Sequence, residues 1–409
     1  MNTVMGFNKK ITPVLLVASV LAGSNVSIAS AATLTEAVSG GKAGLDLRYR
    51  FETVEQDGVT NDATASTLRT RLNYATGDYN GFSAFIEFDD VMALGDVEYN
   101  DATGLATAQT SYPVVADPEG TEVNQAKISY KGVKDTTMIL GRQRVIFDNA
   151  RFIGNVGWRQ NEQTYDAFTL ANTSLADTSI VYGYVTNVNR IFGEASTKGD
   201  IDTKTHLVNV SYSGLEAGKI TGYGYFIDLV NAATASSSTL GLRFAGGTAV
   251  TEAVKALYTV EFATQSDYKD GASTIDADYS LIELGAAASG VTAKLGVETL
   301  SGDGTYAFST PLATTHAFNG WADKFLATPA NGLVDTYVSV AGKVSGVKLK
   351  AVYHDFTSDT GSTDYGTELD LLAVKKIGNY TVLAKYATYS ADSFATDTNK
   401  LWLMGQAKF

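Results

Sequence analysis

The chain has 409 residues, a formal net charge of −13 and no cysteine. Such acidity argues against nucleic acid as a partner, and the lack of cysteine excludes a disulfide framework. Only five prolines occur and no linker divides the sequence, whereas 22 tyrosines and 18 phenylalanines suit strands and aromatic bands.

The first 31 residues have the pattern of a secretory signal peptide. Two lysines precede an apolar run, residues 11–22, and the small-residue stretch SIASAA supplies a cleavage site. The run is too short for a membrane helix, and no later stretch offers about 18 consecutive apolar residues. Losing the two lysines takes the net charge from −13 to −15. We therefore predict a signal peptide at 1–31 and an exported domain at 32–409.

From residue 43 onward, apolar and polar residues alternate in segments of about ten residues. The segments predict eighteen strands, at 43–52, 65–75, 81–91, 122–131, 136–144, 161–171, 178–188, 204–213, 218–228, 237–245, 253–264, 277–287, 291–299, 333–344, 347–357, 366–376, 379–389 and 398–409. Tight connections such as KGVKD and SG alternate with long ones such as 92–121 and 300–332. The predicted fold class is all-β, a transmembrane antiparallel up-and-down β-barrel of about 18 strands with short periplasmic turns and long external loops.

Each predicted strand has one apolar and one polar face. In the second strand, Leu68 and Leu72 alternate with Arg69 and Arg71. An arginine that faces lipid near the membrane centre would cost roughly 2 to 4 kcal/mol, so these arginines are expected to face the lumen. Phe409 ends the last strand on its apolar face, as in the aromatic C-terminal strands by which outer-membrane proteins are recognised for assembly.

The arginines are concentrated in the early strands and the acids in the predicted external loops. The predicted pore-lining residues are Arg48, Arg50, Arg69, Arg71, Arg142, Arg144, Arg151, Arg159, Glu52 and Glu87. The acids assigned to external loops are Asp57, Asp62, Asp96, Asp117, Glu119, Asp200, Asp202, Asp267, Asp270, Asp303, Asp323, Asp359, Asp364, Asp392 and Asp397. A basic lumen favours anionic or polar solutes. The alternative is that the arginines only brace the barrel by pairing with nearby acids, namely Glu52, Glu87, Asp89, Glu162 and Asp166.

Neither a metal nor a cofactor is predicted. The acid cluster SDYKDGASTIDAD departs from the EF-hand spacing, and the three histidines are too scattered to suggest a zinc site. A hydrolase site would rest on Asp89 and Asp90 with His354 and Asp355. Adjacent strand residues point to opposite faces, and no serine stands in a nucleophile-elbow pattern. No catalytic residue is therefore predicted.

The densest motif is GRQRVIFDNARFIGNVGWRQNEQTYDAF, residues 141–168, preceded by STLRTRLNYATGDYNGFSAFIEFDDV at 66–91. Together these resemble the alginate-export family of outer-membrane barrels and its porin-like relatives, over about residues 44–170. The resemblance implies an eighteen-stranded barrel whose arginine-rich lumen passes acidic polysaccharide or other small solutes. The matching positions are the eight arginines named above.

The sequence thus predicts a porin in the outer membrane of a Gram-negative bacterium, passing small polar or anionic solutes. Its expected partners are membrane lipids, lipopolysaccharide and, through Phe409, the barrel-assembly machinery, with a monomer favoured over a trimer. Residues 146–160 are expected to bend into the lumen and narrow it. The alternatives are an acidic-polysaccharide exporter, a soluble all-β protein, a barrel hydrolase, or an adhesin in which 300–332 docks a partner or plugs the lumen.

Overall fold

The computed structural model describes residues 31–106 and 108–409, so the predicted signal peptide, apart from its last residue, lies outside the described residues. One short helix, α1 (Leu34–Ser39), precedes the strands, and two 3-10 helices occupy Val230–Ala235 and Thr315–Ala317. None of the helices in the described ranges is long and apolar enough to cross a membrane. The strands are β1 Lys42–Gln56, β2 Ala63–Ala75, β3 Phe82–Ala93, β4 Gly120–Tyr130, β5 Thr136–Gln143, β6 Thr164–Asn172, β7 Thr178–Asn189, β8 Asp200–Leu215, β9 Gly218–Ile227, β10 Ser237–Ala249, β11 Val254–Asp267, β12 Asp276–Ala288, β13 Val291–Leu300, β14 Leu333–Val344, β15 Val347–Thr357, β16 Asp364–Ile377, β17 Tyr380–Ala391 and β18 Thr398–Lys408.

The strands form one closed antiparallel barrel. Each strand pairs with its neighbours in the chain, and β1 also pairs with β18, so that Leu47 lies opposite Ala407. All eighteen predicted strands are confirmed. Several strands are longer than predicted at their extracellular ends. Four acids expected in external loops therefore lie in strands: Asp200 and Asp202 in β8, Asp267 in β11 and Asp364 in β16. Polar residues at these ends interrupt the alternation that marks the membrane-spanning part.

The connections alternate between tight turns and long loops, as predicted. In the turn between β12 and β13, Ser289 and Gly290 both have positive φ, at 49° and 79°. Ser345 and Gly346 repeat this between β14 and β15, with φ of 50° and 80°. Two successive positive φ values define the type I′ turn, whose twist matches that of a hairpin. The long loops all lie at the other end, the extracellular end of the barrel.

The barrel is apolar outside and polar inside. Leu72, Leu240 and Leu284 are 56%, 51% and 58% exposed, whereas Arg50 and Glu52 on the inner face are 0% exposed. A soluble β-protein buries its apolar face, so this arrangement requires lipid around the barrel. The soluble alternative is therefore rejected.

Two extracellular loops meet each other inside the lumen, and we name them the β5–β6 loop (144–163) and the β13–β14 loop (301–332). They pair with each other through a parallel bridge between Ile153 and Leu312, where the Gly154 amide donates to the Leu312 carbonyl at 2.8 Å. Their side chains join lumenal residues of the strands in one hydrophobic cluster. The predicted inward bend of 146–160 is confirmed in position, and 300–332 occupies the middle of the lumen instead of projecting from it.

Candidate channel lumen

Four guanidinium groups form a compact patch on the inner face of β1 and β2. Arg48 and Arg50 lie on β1, Arg69 and Arg71 on β2, and the register sets Arg48 opposite Arg69. All four side chains are buried. We call them the arginine wall. Their predicted orientation towards the lumen agrees with the structure, because Tyr49, Leu68 and Leu72, which alternate with them along the strands, are more exposed.

The arginine wall contacts acids and the β5–β6 loop. Three of its members pair with carboxylates: Arg50 with Asp117 at 3.3 Å, Arg69 with Asp46 at 3.2 Å, and Arg71 with Asp89 at 2.5 Å. Arg48 instead donates to the loop, to Gly157 O at 3.0 Å and to the Gln160 side chain at 2.9 Å. These contacts favour the bracing role that the sequence left as an alternative.

Glu162 and Glu87 extend this network along β3 and the β5–β6 loop. Glu162 accepts from Arg71 Nη1 at 3.0 Å and from Arg144 Nε at 2.6 Å. Glu87 accepts from Arg144 Nη2 and from Asn124, each at 2.7 Å. Burial alone would raise the pKa of Glu162, but the two guanidinium groups hold this pKa well below its usual range. Both acids are therefore fixed partners of arginine.

Asp117 and Asp323 differ from the prediction that they lie in solvated external loops. Asp117 is fully buried between Arg50 and Arg159, and its Oδ1 accepts from the Gln160 amide at 2.7 Å. Asp323 pairs with Arg159 at 3.3 Å. Both belong to extracellular loops in sequence, but these loops return into the barrel, where a buried guanidinium requires a counter-charge.

Arg159 ties the β5–β6 loop both to β1 and to the β13–β14 loop. Its Nη1 donates to Glu52 of β1 at 2.9 Å, while its Nη2 faces Asp323 of the β13–β14 loop. Arg151, at the other end of the loop, pairs with Glu298 of β13 at 2.8 Å. The structure thus brings both predicted loop arginines into the lumen, each paired with an acid that neither motif contained.

Arg142 was predicted to line the pore, but it lies on the outer face of the barrel. It has the strand parity of Leu140, which is 63% exposed, and lies opposite Ala126 of β4 and Asp166 of β6. Directly opposite residues share a face of the sheet, so this is the outer face. Arg142 pairs with Asp166 there, at 2.9 Å. Because Leu140 and Arg142 are two residues apart, the sequence already indicated that Arg142 shares the apolar face of Leu140. The nearby Arg144 in GRQR suggested a lumenal position for both arginines instead.

Two cavities lie along the remaining lumen, and the prediction named few of their residues. The extracellular cavity, of about 560 Å³, is bordered by Arg151, Arg190 and aromatic residues of the β13–β14 loop. The periplasmic cavity, of about 420 Å³, is bordered by Lys348, Lys350 and the inner faces of β12 to β15. Within the described part of the chain, Arg190, Lys348 and Lys350 form no ion pair with a carboxylate. Strand parity identifies the two lysines, whereas Arg190 lies in a loop that gives no such signal.

The β13–β14 loop is held against β17 by a second cluster. The His316 ring stacks on Trp158 at 5.1 Å, and the Lys385 ammonium lies 3.8 Å from the centre of the Trp321 ring. Lys385 Nζ lies 2.6 Å from His316 Nε2, and Asp323 accepts from His316 Nδ1 at 2.6 Å. Burial lowers the pKa of His316 to about 3, with Lys385 adding to the effect and Asp323 opposing it. The imidazole is therefore neutral at physiological pH.

The residues considered for a hydrolase do not come together. Asp89 pairs with Arg71, and Asp90 accepts from Thr121 on the outer face at 2.5 Å. His354 Nδ1 contacts Asp335 at 2.8 Å on the other side of the barrel. Among the described residues, no group of three or more histidine and acidic side chains is arranged to hold a metal ion.

Comparison with known proteins identifies the family. The family model described as "Alginate export" matches residues 41–285, more than half of the chain. A search of curated proteins found no match. Similar solved structures include Pseudomonas aeruginosa OpdK with vanillate, at 12% identity and a TM-score of 0.71, with 91% of this chain and 99% of that chain covered. Acinetobacter baumannii OccAB2 has 15% identity and a TM-score of 0.72, with the same coverage.

The family match and the closed barrel of eighteen strands together confirm the predicted outer-membrane porin and its location in the Gram-negative outer membrane. The matched region contains β1 to β11, and hence both the arginine wall and the β5–β6 loop. The chain belongs to the alginate-export family of outer-membrane β-barrels.

Proposed function

We propose that the barrel is a channel for small anionic solutes, carboxylates above all. The observation that carries this proposal is the position of the cations without an ion pair: Arg190 borders the extracellular cavity, and Lys348 and Lys350 border the periplasmic one. In a narrow, partly desolvated lumen, such charges act at an effective dielectric well below that of water. They favour the entry of anions despite the acidic external loops, whose charges are screened beyond about 8 Å at physiological salt.

The size of the free space supports a monomeric solute over a polysaccharide. The β5–β6 and β13–β14 loops occupy the middle of the lumen, and the cavities on either side are about 560 and 420 Å³. Pockets of this size suit molecules of a few to a few tens of atoms. The vanillate in the structure of OpdK is a small aromatic carboxylate, which agrees with the solute class proposed here.

The predicted site residues divide into two roles under this proposal. Arg151 borders the solute path, and Arg144, with 31% of its side chain exposed, adds positive charge to the lumen. The arginine wall, Arg159, Glu52 and Glu87 hold the β5–β6 loop in place. We propose no catalytic activity, because the groups considered for one are engaged in separate pairs across the barrel.

The remaining partners are also proposals. Phe409 pairs with Leu45 through two backbone hydrogen bonds, at 2.8 and 3.0 Å, and the residue is 61% exposed. An exposed terminal aromatic ring on the outer face suits recognition by the barrel-assembly machinery. We further propose removal of residues 1–31 on export, contact of the outer face with lipopolysaccharide, and a monomeric barrel.

A planar-bilayer measurement tests the channel function. The triple variant R190Q/K348Q/K350Q should shift the zero-current potential in a salt gradient towards cation preference, because it removes the cations of both cavities that form no ion pair. The control K131Q/K134Q/K255Q removes three exposed lysines that border neither cavity. The proposal fails if the control shifts the potential as much as the lumenal variant does.

A further inference from the structure

One ion pair joins the walls of the two cavities. Arg151 borders the extracellular cavity, while Glu298 and Asn319 border the periplasmic one, and no residue borders both. Arg151 Nε donates to Glu298 Oε1 at 2.8 Å. The exposed fractions of the two side chains are 2% and 5%. A solute path through this point therefore requires this contact to open.

Neighbouring groups hold the pair in a defined geometry. Asn319 accepts from Arg151 Nη2 at 3.0 Å and donates to Glu298 Oε2 at 2.6 Å. Tyr279 donates its hydroxyl to Glu298 Oε1 at 2.6 Å. The Arg151 guanidinium lies 4.9 Å from the ring centre of Phe318, which restrains its plane. The arginine is thus positioned independently of Glu298, and Glu298 has hydrogen bonds independent of Arg151.

Arg151 retains a hydrogen-bonding edge on the extracellular side. Its Nη1 has a single long contact, 3.5 Å to Thr310 Oγ1, and both residues border the extracellular cavity. Tyr306 and Phe308 form apolar walls beside them. A guanidinium binds a carboxylate best with two parallel N–H donors. A carboxylate with an apolar or aromatic body, entering from outside, can therefore bind Arg151 through Nη1 and Nη2.

We propose that Glu298 is an internal substitute for the carboxylate of the solute: a carboxylate that binds the Nη1–Nη2 edge of Arg151 draws the guanidinium away from Glu298, and this exchange opens a path between the cavities. The inference rests on the proposed function and specifies its gate. Removing a partner from a buried ion pair is costly, but exchange keeps Arg151 paired throughout. Glu298 keeps its hydrogen bonds from Tyr279 and Asn319 after the exchange. Chloride lacks the two-oxygen geometry and is a poor substitute.

The variant E298Q tests the gate in planar bilayers with chloride and with benzoate as the probe carboxylate. Glutamine keeps the size of the side chain but removes the charge that competes for Arg151. We expect the chloride conductance to rise several-fold, and the benzoate concentration for half-maximal effect on the current to fall about tenfold. Benzamide, the neutral analogue, should have no saturable effect on either protein.

The matched control is E261Q. Glu261 is also a buried lumenal acid that pairs with an arginine, Arg243, and accepts from a tyrosine hydroxyl, that of Tyr223 at 2.9 Å, but neither partner borders the extracellular cavity. E261Q leaves Arg243 without an ion pair beside the periplasmic cavity, so its chloride conductance should rise less than that of E298Q, and its half-maximal benzoate concentration should equal that of the wild type. A double variant, R151Q/E298Q, should conduct chloride readily and lose the benzoate response, provided that it shows the heat-modifiable migration of a folded barrel.

The two proposals fail in different ways. If the wild type prefers anions but folded E298Q has unchanged conductance and benzoate response, the gate is rejected and the channel function stands. If the wild type and E298Q both prefer cations and ignore benzoate, the anion channel itself is rejected, and the gate with it. An equal effect of E261Q would also overturn the gate, because any lumenal acid would then act alike.

Discussion

Asp117 offers a direct test of how the β5–β6 loop is held. This carboxylate contacts two elements: β1 through Arg50 at 3.3 Å, and the β5–β6 loop through the backbone amide of Gln160 at 2.7 Å and through Arg159 at 3.8 Å. Burial alone would raise the pKa of Asp117, but the guanidinium groups of Arg50 and Arg159 hold this pKa below its usual value of 3.8. The charge is therefore present at neutral pH, and D117N removes it with almost no change in shape.

The size of the effect of D117N on loop docking follows from the ion pairs that Arg50 and Arg159 lose. Removing one member of a buried ion pair costs about 3 to 5 kcal/mol. Arg159 keeps Glu52 and Asp323, so the loss falls on Arg50 and the lower figure applies. At about 1.4 kcal/mol for each factor of ten, about 3 kcal/mol increases the population of the undocked loop roughly a hundredfold.

Limited trypsin digestion after Arg159 measures that population, because cleavage follows the equilibrium amount of the open form when closing is fast. We expect D117N barrels in vesicles to be cut at Arg159 about a hundred times faster than the wild type, by the free-energy change above. D57N, in an exposed external loop, is the control and should not change the rate. Equal rates for D117N and the wild type would show that Asp117 does not hold the loop.

Two further predictions concern His316 and Arg142. The pKa of His316 falls from 6.5 to about 3 in the docked loop, so its contribution to docking is complete above pH 6.5 and decreases as the pH falls towards 3. The current through the wild type should therefore become noisier on acidification from pH 7 to 4, and the current through H316Q should change less. An equal response in the two proteins would show that His316 does not control docking of the loop. R142Q should leave ion selectivity unchanged because Arg142 faces outward, whereas R144Q should reduce anion preference. A larger change of selectivity in R142Q than in R144Q would contradict the position of Arg142 on the outer face.

The sequence predicted the barrel well because two-residue periodicity is a local signal. Leu72 and Arg71 differ by one position and face different media, which fixes both strand and register. The site was less predictable. Asp117, Asp323 and Glu298 are far in sequence from the arginines with which they pair, and whether a loop turns inward depends on side chains that meet only in the closed barrel.

All the tryptophan fluorescence of this barrel comes from the cluster around Lys385. The chain has three tryptophans, and the rings of Trp158, Trp321 and Trp402 lie 4.3, 3.8 and 5.1 Å from the Lys385 ammonium. Trp158 comes from the β5–β6 loop, Trp321 from the β13–β14 loop, and Trp402 from β18. Any undocking of either loop moves an indole away from this ammonium and towards water, so the emission maximum reports the position of the loops without an added label.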